Sequence, residues 1–326
     1  MKVVTTKKLH LFAGRQSEEL TKKISTNLGV SITESNVSQF LSGETHCQFG
    51  ESVRGSDVFI VQTHGALDGR SVNDAVMEHL IMVDAARRAS AKRITAVMPF
   101  YGYCRQDRKS EGREPITAKL IADMFKAAGA TRLVSVDLHT GQIQGFFNGP
   151  VDHLTAMPVL LERLKEYKDD LVVVSPDAGR VKVAERYSQI LDADLAIVHK
   201  RRVKGKKNAA EAKSIVGSVK GRRCVLIDDM IDTAGTICQG ATLLKEKGAS
   251  SVIGAATHGV FSGPAVDRLK NSDFEKVIVT DTCPIPSEKQ FDKLEILSVA
   301  DIIADAIIAV FEDTSVSHIF DGLNQS

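Results

Sequence analysis

The residues with the clearest chemical meaning form one string, Val225-Leu226-Ile227-Asp228-Asp229-Met230-Ile231-Asp232-Thr233-Ala234-Gly235-Thr236. An apolar run ends in two carboxylates, a loop of small and hydroxyl residues follows, and a helix-like stretch begins. In open α/β sheets, ligands sit beyond the carboxyl ends of the strands. A loop from Asp232 to Thr236 at a helix start offers backbone N–H groups, with the Thr233 and Thr236 hydroxyls, to a phosphate. Bare carboxylates repel that phosphate, so Asp228 and Asp229 suit the hydroxyls of a sugar, gripped directly or through a cation. An Asp-rich helix cap explains any one of these residues, but not the whole string.

Further segments set polar groups where a sheet would open. Pro99-Phe100-Tyr101-Gly102-Tyr103-Cys104-Arg105-Gln106-Asp107-Arg108-Lys109 follows a strand-like run and precedes the helix-like Pro115-Ile116-Thr117-Ala118-Lys119. Arginine presents a planar donor fork suited to phosphate, and glutamine can satisfy a purine edge or a ribose. Arg108 and Lys109 read as solvated charges. Ser135-Val136-Asp137-Leu138-His139 places a histidine just past a strand end, where a lone histidine is more often an ordinary polar residue than a ligand. Val172-Val173-Val174-Ser175-Pro176-Asp177-Ala178-Gly179 puts a carboxylate at the mouth of another buried strand, by itself a common turn signal. Lys200-Arg201-Arg202-Val203-Lys204-Gly205-Lys206-Lys207 is the most basic stretch. Without interleaved aromatics it makes a poor nucleic-acid patch, and it reads either as a solvated loop or as a flap that closes over a polyphosphate.

The elements that must carry these groups are short β-branched runs alternating with helical stretches. Asp57–Val61, Arg93–Val97, Arg132–Val136, Leu171–Val174, Cys224–Ile227, Ser251–Ala255 and Lys276–Val279 are apolar on consecutive positions, as strands buried on both faces of a parallel sheet are. Their alternation with helices predicts an α/β fold. The halves also resemble each other: Val53-Arg54-Gly55 leads into Val58-Phe59-Ile60-Val61 much as Val219-Lys220-Gly221 leads into Cys224-Val225-Leu226-Ile227. Where the second copy has Asp228-Asp229 the first has Gln62-Thr63, which suggests that the second alone kept a sugar-phosphate site. A crossing between halves is expected between Pro150 and Pro158.

Length and composition agree. The 326 residues suit about two domains at roughly 150 residues each. With 43% hydrophobic and 25% charged residues and a net charge of +1, the chain reads as soluble and globular, with no bulk field for nucleic acid or an anionic membrane. Five scattered cysteines without C-x-x-C spacing suit a reducing cytoplasm and argue against a zinc site or a disulfide framework. No apolar run is long enough for a signal peptide or a bilayer span.

The acidic string resembles the motif of the type I phosphoribosyltransferase fold that binds phosphoribosyl diphosphate (PRPP), a superfamily that both makes and uses PRPP. Together with Leu11-Phe12-Ala13-Gly14, Arg105-Gln106-Asp107-Arg108, Asp137-Leu138-His139, Ser175-Pro176-Asp177 and Ser315-Val316-Ser317-His318-Ile319-Phe320, it is similar almost end to end to the PRPP synthetase (ribose-phosphate pyrophosphokinase) family, class I. The resemblance implies two phosphoribosyltransferase type I-like domains, each a mostly parallel sheet flanked by helices. The first would span 1–150 on the ATP side, joined by a C-terminal helix over 300–326; the second would span 151–300 on the ribose 5-phosphate side. It implies that Ser42, Gly43, Glu44, Arg105 and Gln106 contact ATP, that His139 and Asp177 hold Mg²⁺, and that Lys200 is the catalytic lysine. Arg202, Asp228, Asp232, Thr233, Ala234, Gly235 and Thr236 would bind ribose 5-phosphate. It further implies a cytoplasmic homo-oligomer, usually a hexamer. Ser42 stands where the family usually has Asp, Arg180 replaces the second Gly of the common Asp-x-Gly-Gly, and Asp68 to Ser71 looks like a small insertion. Two other readings stay open: a transferase that consumes PRPP, which would need a base-recognition hood not visible here, and a catalytically silent regulatory relative.

Overall fold

The structure, a computed structural model, describes residues 7–202 and 210–320, with side chains in these ranges except at 200–202 and 210–213. The chain divides into two compact units. The first holds the described residues up to Thr155, Thr282–Pro284 and those from Val299 onward; the second holds Ala156–Asp281 and Ile285–Ser298.

The first unit runs β1 (Leu9–Ala13), α1 (Glu18–Leu28), the hairpin of β2 (Ser35–Gln39) and β3 (Thr45–Phe49), β4 (Asp57–Val61), α2 (Val72–Arg88), β5 (Arg93–Met98), α3 (Thr117–Ala128), β6 (Arg132–Val136) and β7 (Val151–Leu154). The second follows with α4 (Met157–Leu164), β8 (Leu171–Ser175), α5 (Val181–Leu191), β9 (Asp194–Arg202), β10 (Ala210–Val216), β11 (Arg223–Ile231), α6 (Gly235–Glu246), β12 (Ser251–Gly259), α7 (Ala265–Lys270), β13 (Lys276–Thr280) and β14 (Leu294–Leu297). A last helix, α8 (Ala300–Glu312), packs against α1 in the first unit.

Both sheets follow one plan. The first is parallel throughout, in the order β1-β4-β5-β6-β7. The second reads β10-β9-β8-β11-β12-β13-β14, and only β10 runs antiparallel to its neighbour. Setting β9 and β10 aside, β8-β11-β12-β13-β14 repeats the order of the first sheet. In each unit a helix and an antiparallel pair separate the first two strands of that series: α1, β2 and β3 in one, α5, β9 and β10 in the other. The likeness of the halves therefore extends to topology. Strands β4 and β8 are buried at every position, which only a sheet covered on both faces allows. Val172, Val174, Leu226, Val252 and Phe274 belong to the core of the second unit.

The structure differs from the sequence reading in several places. The division falls after Thr155, because β7 pairs with β6 and completes the first sheet. The terminal helix ends at Glu312, where Asp313 turns into the left-handed region at φ 61° and a 3₁₀ turn, Val316–Phe320, follows. Residues 321–326 lie outside the described range. Strand β11 does not stop at Ile227 but continues through the acidic pair, because Asp228, Met230 and Ile231 keep partners on β12 at Ala256, His258 and Gly259. Pairing with a central neighbour outweighs the weak strand preference of Asp. The segment Asp68 to Ser71 starts as a tight turn, with Asp68 at φ 51° and Gly69 at φ 77° and Leu67 and Arg70 exchanging both backbone hydrogen bonds. Ser71 then caps α2 in a capping box with Asp74.

The end of β4 is closed. Gln62, Thr63 and His64 are fully or almost fully buried. Gln62 Nε2 donates to Gln16 at 2.7 Å and to Glu78 at 2.9 Å, and Glu78 also takes Arg15 Nε at 2.5 Å. Gly14 must be glycine here, since a Cβ would lie 2.4 Å from the Gln62 side chain. His64 and His79 face each other at 3.2 Å, and the Gly102 amide donates to His64 Nδ1. Burial pushes His64 down to about 3. Burial, with the neighbouring imidazole, pushes His79 well below its ordinary value. In the unfolded chain both take a proton near the usual 6.5, which the folded unit refuses. Their stabilisation is therefore complete above about pH 6.5 and declines as pH falls toward 3, by roughly 1.4 kcal/mol per pH unit for each imidazole. Urea unfolding between about pH 7 and 5 is expected to show this slope. A His64→Gln/His79→Gln variant should be flatter over that window, and an equally steep variant would show that other groups set the acid sensitivity.

Candidate active site

The groups singled out in the sequence lie near or beyond the carboxyl ends of strands, each within its own unit. In the second unit Asp228 and Asp229 lie on β11, and the loop from Asp232 to Ala234 leads into α6. Ala234 takes φ 59°, a left-handed conformation that costs a non-glycine residue strain and recurs where a loop is shaped for a ligand. The loop is held from outside. Ser262 N donates to Asp232 O at 3.0 Å, and Arg268 Nη1 donates to Thr233 O at 2.9 Å. No side chain caps the start of α6, so the first amides of a twelve-residue helix are left for another acceptor. Thr233 and Thr236 are exposed. The Thr233 and Thr236 side chains of the turn thus face solvent, while Ala234 between them is buried.

The acidic pair is less simple than the sequence suggested. The Asp229 amide donates to Asp228 Oδ1 at 2.9 Å. Burial, then the charge of Asp229, pushes the Asp228 carboxyl well above the usual range, while Arg180 pulls it down. Arg180 itself reaches Asp229 at 2.5 Å and Asp228 at 3.6 Å. It comes from the loop after β8, whose Asp177 caps a 3₁₀ turn, Ala178–Arg180, by accepting the Gly179 amide at 2.9 Å. Ser175 Oγ donates to Asp177 O at 2.6 Å and fixes the start of that turn. Lys200 and Arg202 end β9, where positions 200 and 202 pair with Ala212 and Ala210. The side chains of Lys200 and Arg202, and Val203 to Lys207 altogether, lie outside the described residues.

In the first unit Ser42, Gly43 and Glu44 form the tip of the β2–β3 hairpin. Gly43 takes φ 92°, and the Ser42 hydroxyl donates to Glu44 at 2.8 Å. Serine at this position therefore fixes the carboxylate of Glu44. Arg105 and Gln106 lie in the loop after β5. There Tyr103 turns through φ 64°, Gln106 O accepts Ala118 N at 3.1 Å, and Gln106 Oε1 accepts the Thr117 hydroxyl at 2.6 Å. His139, half-buried, follows β6, and the His153 ring accepts the neighbouring Leu138 amide at 2.9 Å.

Two residues important to this geometry carried no role in the sequence reading. Arg180 is one. Asp107 is the other: it is 5% exposed and accepts the Thr140 hydroxyl at 2.5 Å and Gln142 Nε2 at 3.0 Å. It thereby fastens the Arg105-Gln106 loop to the His139 loop. Its place directly after Arg105-Gln106 was the available signal, but its partners stand 33 and 35 residues away.

Among the described residues no group of three or more His, Cys, Asp or Glu is placed to hold a metal. A cation that brings its own ligands still fits. Mg²⁺ keeps several waters and binds through one or two protein groups plus substrate phosphates, so it asks for only a sparse protein share.

Two mostly parallel sheets flanked by helices, with an amide-lined loop after an acidic strand, define an α/β protein with phosphoribosyltransferase type I-like domains. Residues 9–129 match the N-terminal domain of ribose phosphate pyrophosphokinase, and residues 203–321 match the phosphoribosyl synthetase-associated domain. A ribose-phosphate pyrophosphokinase of Streptomyces avermitilis is 53% identical over 323 residues, 98% of each chain. That of Mycobacterium bovis is 51% identical over 319 residues, 97% of each. A crystal structure of phosphoribosylpyrophosphate synthetase from Mycobacterium smegmatis is 51% identical, with a TM-score of 0.87 over 94% of this chain and 100% of that one. The chain belongs to the ribose-phosphate pyrophosphokinase family. No described helix is long and apolar enough to cross a membrane.

Proposed function

We propose that residues 232–236 seat the 5-phosphate of ribose 5-phosphate, that Asp228 accepts hydroxyls of its ring, and that Arg202 adds a further phosphate contact. Ser42, Gly43, Glu44, Arg105 and Gln106 bind ATP in the same reading. The carrying observation is the turn from Asp232 to Thr236, whose Thr233 and Thr236 are exposed, with no side chain capping the α6 amides behind it.

Family membership gives the activity: ribose-phosphate diphosphokinase, producing PRPP from ATP and ribose 5-phosphate. The C1 hydroxyl oxygen forms a bond to the β-phosphorus of ATP, the bond from that phosphorus to the α,β-bridging oxygen breaks, AMP leaves with that oxygen, and the hydroxyl proton is released. Both reactants are anions, so the protein's share is positioning and neutralisation. His139 and Asp177 would each hold Mg²⁺, which would offset polyphosphate charge. Lys200 stabilises the charge that develops on the departing AMP oxygen. Homohexameric assembly of the class I kind is part of the same proposal.

AMP release by the purified chain tests it. AMP is expected only when ATP, ribose 5-phosphate and Mg²⁺ are all present. Release of AMP without ribose 5-phosphate would overturn the reading. So would consumption of PRPP in the presence of a nucleobase with no synthesis from ATP, which would point to a phosphoribosyltransferase. Nucleotide binding without turnover would point to a silent relative.

A further inference from the structure

Beside the acidic pair stands a cation that the reaction above does not use. Arg180 lies in the loop after β8, and β8 is the parallel neighbour of β11. Its guanidinium crosses from one strand end to the next, with Nη2 2.5 Å from Asp229 Oδ2 and Nε 3.6 Å from Asp228 Oδ1. The Asp229 side chain is 8% exposed and that of Arg180 18%. An exposed ion pair at this distance would contribute little. One largely withdrawn from water is different, because removing one partner takes away a close opposite charge that water replaces only in part.

The electrostatics of the sugar subsite favour such a partner. The substrate is an anion, and the loop that would take its phosphate begins three residues after Asp229. Two fully ionised carboxylates at that point oppose the ligand they are meant to hold. One of them cancelled leaves a single acceptor for the ring hydroxyls.

We propose that Arg180 is a positioning residue of the sugar subsite, holding Asp229 and cancelling its charge so that Asp228 alone meets the ring hydroxyls of the sugar phosphate. The inference rests on the ribose 5-phosphate reading of residues 228–236. It concerns a side chain that stands where glycine is common in the family pattern, so this chain's subsite carries one more positive charge than that pattern supplies.

Steady-state kinetics of the full-length chain, with ribose 5-phosphate and ATP varied in turn, tests it. Arg180→Gly is expected to raise KM for ribose 5-phosphate about tenfold while KM for ATP moves less than about threefold. Arg180→Lys, which keeps the charge but not the planar fork, should retain most of the affinity, and Arg180→Gln should lose it as glycine does without loosening the backbone. The double variant Arg180→Gly/Asp229→Asn should recover most of the loss, since the carboxylate that needed the guanidinium is then neutral. Three results would each overturn the proposal: an unchanged KM in both Arg180→Gly and Arg180→Gln, a lowered KM, which would make Arg180 an obstruction, and a double variant no better than the single. Failure of the underlying reading looks different, because the wild-type chain would then make no AMP in response to ribose 5-phosphate.

Discussion

Lys200→Ala is expected to lower kcat by about 10²–10³, the usual cost of removing one charged stabiliser of a developing oxyanion. The effect is one of differential binding. ATP carries its negative charge in the ground state, spread over the triphosphate, but charge concentrates on the α-phosphate oxygen only as AMP departs. A cation aimed at that oxygen lowers the barrier without tightening the ground state. KM for ATP should therefore change much less than kcat, and Lys200→Arg should restore part of the loss. Lys200 is the third residue from the end of β9, on the antiparallel pair that occupies the same topological place as the β2–β3 hairpin carrying Ser42, Gly43 and Glu44. The same excursion from the repeated sheet plan thus bears a segment proposed to meet substrate in each unit. Single-turnover AMP formation checks the prediction, and near-normal turnover would remove Lys200 from the mechanism.

Asp107→Ala is expected to lower kcat/KM for ATP by about a hundredfold, although Asp107 need not touch the nucleotide, because small misplacements of a reactive constellation cost that much. Its carboxylate accepts Thr140 at 2.5 Å and Gln142 at 3.0 Å, so one buried group sets the spacing between the Arg105-Gln106 loop and the loop that carries His139. Alanine removes the one oxygen, Oδ2, that accepts both bonds and leaves two donors to find others. Asp107→Asn keeps one acceptor oxygen and should fall between the two. KM for ribose 5-phosphate should move little, since residues 228–236 belong to the other unit. An equal loss toward both substrates would mean that the substitution harms folding generally, and no loss would mean that the two loops hold their spacing without it.

What could be read without coordinates was local. Strands β4, β8 and β12 announce themselves because burial on both faces demands consecutive Val, Ile, Leu, Phe and Ala, and that composition survives in the linear text. The turn from Asp232 to Thr236 was legible for a related reason: it is built from neighbours in sequence, so its residue types and spacing stand in the linear text. Strands β2, β3 and β7 were not read, because their residues are mixed in polarity and only pairing makes them strands.

By itself the sequence determined the α/β class, the duplication and the family, and it marked out the turn proposed to seat the phosphate. Tertiary structure alone decided that β11 runs on through Asp228 and Asp229, that Arg180 balances Asp229, and that Asp107 joins the two loops of the first unit. The end of β4 is a closed network of Gln62, Gln16, Glu78 and Arg15, whereas the turn after β11 stays open. The physical reason is the same in each case. A hydrogen bond or an ion pair depends on distance in space, and residues tens of positions apart leave no mark on one another's neighbours in the chain.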